Sequence, residues 1–222
     1  MLDVEAVLGS LVSGLSEDNY ERSLAHYRLW FELGQTYSQI PSDLVFNTIW
    51  NHKDSLNSSN VLISPTSHLI LRFVNYAESD QILAPHSAGL LSRLCTSILQ
   101  EFFKADVRIT HQSSGYSHAT YVVLVNLLAH CANLGYIEET TIRNHILQSL
   151  ISHPDLRFHH ANALIILFKI AGATFGAYTD QLVIDRCFDR LKGYDPRSPM
   201  QKGLINVRGL CQGSVADTKI KF

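Results

Sequence analysis

The residues best suited to chemistry in this chain are its histidines. The run His153-Pro154-Asp155-Leu156-Arg157-Phe158-His159-His160 gathers three histidines and an aspartate just ahead of a long apolar segment. Seven of the eleven histidines lie between His111 and His160. Imidazole and carboxylate are zinc ligands, and imidazole is the usual general acid or base near neutral pH. One reading is therefore a metal-dependent helical enzyme that uses region 111–160.

Spacing argues against that reading. Structural zinc takes four ligands in closely spaced pairs, and helical catalytic sites commonly present HExxH. Neither pattern occurs. Helical neighbours point about 100° apart, so His159 and His160 are expected to diverge rather than share an ion. The adjacent pair His130 and Cys131 diverges in the same way. His153 precedes Pro154 and belongs to a loop, while Asp155 suits a helix cap. His160 is expected to bond a neighbouring carbonyl or carboxylate at the head of a buried helix.

Other catalytic constellations are missing as well. The sequence has no GxxxxGK[ST], GxGxxG or GxSxG. Ser113, Ser114, His111 and His118 surround Gly115, but no acid orients the histidines and the segment has the composition of a surface loop. The expectation is a protein with no catalytic residues, no metal ligands and no cofactor.

These residues must be carried by helices. In "PHSAGLLSRLCTSILQEFFK", Leu90, Leu91, Leu94, Cys95, Ile98, Leu99, Phe102 and Phe103 draw a stripe with helical spacing. Helices are predicted over 2–14, 17–37, 42–55, 65–78, 86–104, 118–134, 139–152, 155–172 and 179–192. Ser64-Pro65 and Ser16 mark starts; Gly135 and Gly172 or Gly176 mark stops. Segments 55–63 and 105–116 are expected as polar loops, with "VRIT" at Val107 extended. The fold class is all-α.

The helices also recur. Offsetting the chain by 42 residues lays His118 on His160, Ala119 on Ala161, Ala129 on Ala171, Tyr136 on Tyr178 and Ile142 on Ile184. Helix, break and helix coincide in the two copies, and a third copy starts at His68. Paired helices with a period near 40 resemble armadillo and HEAT repeats, over residues 60 to 192. The resemblance implies a right-handed stack of helix pairs, and with it a surface that binds other proteins.

Composition bounds the rest. Of 222 residues 46% are hydrophobic and 17% charged, enough apolar material for a large core. The net charge of −2 gives no global basic field for nucleic acid or lipid. Asp3 and Glu5 stand where a secretory signal carries Lys or Arg. Cys95, Cys131, Cys187 and Cys211 are scattered without a CxxC pair, as in reduced intracellular proteins. The apolar run 161–177 is short for a bilayer and contains Lys169, so no membrane span is expected.

The expected organisation is a helical repeat domain over 1–192 and a flexible tail over 193–222. Residues 192–222 carry about +4 against about −6 for the rest. The function inferred from this is a non-catalytic scaffold or adaptor in a cytoplasmic or nuclear multiprotein complex, with other proteins bound along the helical surface. Nucleic-acid association through the basic tail is the third reading. Trp30, Trp50, His159, Arg186 and Arg190 are the expected partner contacts, and Ser198, before Pro199, is the expected phosphorylation site.

Overall fold

The computed structural model describes residues 9–10, 14–34, 67–81, 83–84, 88–110, 118–152, 158–178 and 181–191. Among them are seven helices and no strand, so the described part of the chain is all-helical. The predicted helix over 42–55, Trp50, Ser198 and the tail 193–222 lie outside the described residues. The chain divides into two compact units, Met1–Phe103 and Lys104–Phe222.

In the first unit, α1 (Tyr20–Gly34) follows a turn closed by Asn19, not by Ser16. The Asn19 side chain accepts the Ser16 N–H at 2.9 Å, and its carbonyl accepts the Ser23 N–H at 2.9 Å. The buried face of α1 carries Tyr20, Leu24 and Tyr27. Tyr27 lies against Phe73 of α2 (Ser67–Ser79), with ring centroids 4.7 Å apart. Arg28 reaches Asp80 at 3.5 Å, and Arg72 covers the Tyr20 ring at 4.5 Å.

Helix α3 (Leu90–Thr110) buries the row Leu90, Leu94, Ile98 and Phe102, a four-residue repeat on one face. Leu91, Leu99 and Phe103 are only half-buried, so the stripe is narrower than predicted. The helix also runs through the segment expected to be a loop. Val107 to Thr110 are helical, not extended, which leaves Asp106 one turn beyond Phe102.

The second unit is built around α4 (His118–Asn133) and α6 (Phe158–Tyr178), the most extensively packed pair among the described elements. Residues 121–129 and 159–168 are buried without interruption. Helices apolar on all sides require neighbours on all sides. Tyr121 near the start of α4 meets His159 near the start of α6, with centroids 5.4 Å apart. Thr174 donates to Asn133 at 3.1 Å near the other ends. The two helices are therefore parallel.

A parallel pair needs a returning element, and 139–152 supplies it. This segment, α5, runs from Glu139–Thr141 through a π-helical stretch at Ile142–Leu147 to Gln148–Ser152. At about 1.5 Å per residue its length matches that of α4 to within a turn. The wider stretch is marked by the Gln148 N–H, which bonds Arg143 O, five residues back. Helix α7 (Gln181–Leu191) packs on α5 and α6.

The stop after α4 is the predicted one. Gly135 has φ +74°; its N–H bonds Ala132 O at 3.1 Å and the Tyr136 N–H bonds Cys131 O at 2.9 Å. These two bonds close the helix in a Schellman motif. Gly172 and Gly176 do not stop α6, which continues to Tyr178. Among the described residues no helix is long and apolar enough to cross a membrane.

Candidate functional site

The row of α3 that buries Phe102 continues, four residues on, to Asp106. A carboxylate there would face the core, and Asp106 is only 3% exposed. Burying an anion without partners costs several kcal/mol, so its surroundings have to compensate. Helix α4 offers Tyr121, whose hydroxyl donates to Asp106 Oδ1 at 3.1 Å. The head of α6 offers two imidazoles. His160 Nε2 stands 3.2 Å from the same oxygen and His159 Nε2 stands 3.8 Å from it.

Three segments thus converge on one carboxylate oxygen. His160 and Tyr121 are 0% exposed and His159 6%. The Tyr121 ring meets the His159 ring nearly edge-on, at 87°, and the two imidazole centroids are 3.9 Å apart. Burial, followed by the charge of Asp106 and the hydrogen bond to it, holds the Tyr121 pKa well above the ordinary tyrosine value. The phenol therefore remains protonated and keeps its role as donor.

This geometry corrects the argument that His159 and His160 diverge. Their Cα–Cβ bonds do leave the helix in different directions. Neighbouring Cα atoms are nevertheless only about 3.8 Å apart, and an imidazole tip can swing back across that gap by rotation about χ1 and χ2. Both rings turn to the Asp106 carboxylate. His160 does meet a carboxylate, as expected of a residue at the helix head. His159, expected among the partner contacts, faces inward.

Asp106 was missed by sequence reasoning. The β-branched residues Val107, Ile109 and Thr110 suggest an extended segment, and the predicted helix stops at 104, six residues short of its end at Thr110. The available signal was Asp106 at the next step of the Leu90–Leu94–Ile98–Phe102 row. A charge in a buried row calls for a partner.

The other expected contacts are dispersed. Arg186 and Arg190 are exposed on α7, at the same spacing as Leu182, which is 64% exposed. The Trp30 side chain lies outside the described residues, as do Asp155 and the loop around Gly115. His130, half-buried near the end of α4, does not join the cluster. Cys95, Cys131 and Cys187 are buried thiols outside any disulfide, each on a helix.

Comparison with protein-family models, curated proteins and solved structures finds no match for this chain.

Proposed function

We propose that this chain is a non-catalytic helical-repeat module that serves as a scaffold or adaptor for other proteins. The observation that carries the reading is the parallel register of α4 and α6, with α5 returning between them. Successive inner helices of a stacked-pair array lie parallel in this way, and their outer helices form a second layer. Contact between α5 and α7 supports that second layer. The Tyr121–His159 and Asn133–Thr174 contacts fall close to the 42-residue offset that relates the two copies in sequence.

The burial of Asp106, His159 and His160 supports a structural role over a catalytic one. These side chains have the chemistry of an active site, yet a substrate would have to displace the packing of α4 and α6 to reach them. Leu182, Arg186 and Arg190 lie instead on the outer surface of α7, where an apolar anchor flanked by arginines suits protein recognition.

The test compares capture from native extract by the full-length chain and by Leu182→Asp and Arg186→Glu variants. Both positions are exposed, so both variants should keep wild-type helicity. A near-stoichiometric protein that the wild type retains and the variants lose supports the reading. Equal retention by all three, or no stoichiometric protein, overturns the assignment of this surface.

A further inference from the structure

We propose that Asp106, His159 and His160 form a buried structural site for a divalent transition metal of the zinc class. This inference goes beyond the scaffold reading and does not depend on it.

The donor set is one carboxylate oxygen and two imidazole Nε2 atoms, all within 4.8 Å of one another. Zinc binds imidazole nitrogen and carboxylate oxygen at about 2.0–2.2 Å. Two ligands of one tetrahedral ion then stand roughly 3.3 Å apart. His160 Nε2 and Asp106 Oδ1 are already 3.2 Å apart, and His159 Nε2 is 3.8 Å from the same oxygen. Small rotations of the His159 and Asp106 side chains would complete the geometry without moving a helix.

Electrostatics favours the same occupant. The Asp106 carboxylate is buried beside two imidazoles and a phenol. A dication held between these groups would place positive charge directly at that carboxylate. The Tyr121 hydroxyl would act as an outer-shell hydrogen bond that orients the ligating carboxylate.

Burial assigns the site its role. The ion would tie the last turn of α3 to the first turn of α6, fixing two segments separated by the whole of α4 and α5. With His160 and Tyr121 fully buried, metal would load as the chain folds, so that binding energy becomes folding energy. The borderline nitrogen and oxygen donors suit zinc better than calcium or magnesium, which prefer sets made entirely of oxygen.

The full-length chain is unfolded with chelator in denaturant and refolded with one equivalent of Co2+ or Zn2+. The expected result is one ion per chain, visible Co2+ bands of low-symmetry nitrogen and oxygen ligation without a thiolate charge-transfer band, and a higher Tm with Zn2+ than with chelator. Asp106→Asn and His159→Gln should each weaken Co2+ binding by more than about 100-fold, since loss of an outer-shell partner alone can cost 10–100-fold. Where a variant fails to fold, the wild-type spectrum and the Zn2+-dependent Tm decide the matter. Substoichiometric metal, a thiolate band, or undiminished binding by folded variants would overturn the proposal.

Discussion

Replacing Tyr121 by phenylalanine isolates the link between Asp106 and the core. The ring is retained, and with it the edge contact to His159; only the hydroxyl donating to Asp106 at 3.1 Å is removed. The residue is 0% exposed, so water cannot replace the lost donor. A hydrogen bond to a charged group contributes about 1.5–3 kcal/mol. Because His160 still stands 3.2 Å from the same oxygen, the lower half of that range applies, or about 2 kcal/mol. With a urea m-value of about 2 kcal/mol/M, the midpoint should fall by about 1 M. Unfolding followed by far-UV circular dichroism measures this directly. A double-mutant cycle with Asp106→Asn should give a coupling of about 1 kcal/mol, because the neutral amide oxygen is a weaker acceptor than the carboxylate. A loss below about 0.5 kcal/mol together with no coupling would show that the hydroxyl and the carboxylate do not meet in a dry site.

Other expectations follow from the same packing. Leu94→Asp and Ile165→Asp each place a charge at a position no more than 2% exposed. Both should abolish cooperative thermal unfolding, whereas Leu182→Asp, at a 64% exposed position, should change stability by less than about 0.5 kcal/mol. Gly135→Ala should cost about 1 kcal/mol in urea unfolding; φ is +74° and no atom lies within 4 Å of the added Cβ, so only backbone strain is involved. Burial raises the Tyr27 pKa above its ordinary value of 10.0. Stability from Tyr27 is thus fully present below pH 10 and declines as pH rises above it. In a spectrophotometric alkaline titration, the tyrosinate signal restored by Tyr27→Phe/wild-type subtraction should appear together with unfolding, not before it.

Much of the helical frame can be read from the chain, because apolar spacing reports directly which face is buried. The segments 118–133 and 139–152 and the core role of Leu94 follow from that signal, and the break after 118–133 follows from Gly135. What fails is local preference overridden by packing. The residues 107–110 favour extended backbone when taken alone, but in the fold they continue α3 to Thr110. Gly172 lies buried inside α6, where the packing of the preceding residues outweighs the roughly 1 kcal/mol cost of a helical glycine. The site was half legible. Two histidines drew notice by type, but their shared target lies more than fifty residues earlier in a segment whose propensity hid it. Direction along a helix also proved a poor guide to where long side chains end, since rotation about two bonds outweighs a 100° offset in the first turn.

The proposed metal position lies between Asp106, His159 and His160, whose ligand atoms stand within 4.8 Å of one another. A crystal structure of the full-length chain refolded with Zn2+, with data collected on both sides of the zinc absorption edge, tests it most directly. A single strong anomalous peak is expected about 2 Å from Asp106 Oδ1 and from both Nε2 atoms. A map with the three side chains well ordered and no zinc peak between them would contradict it.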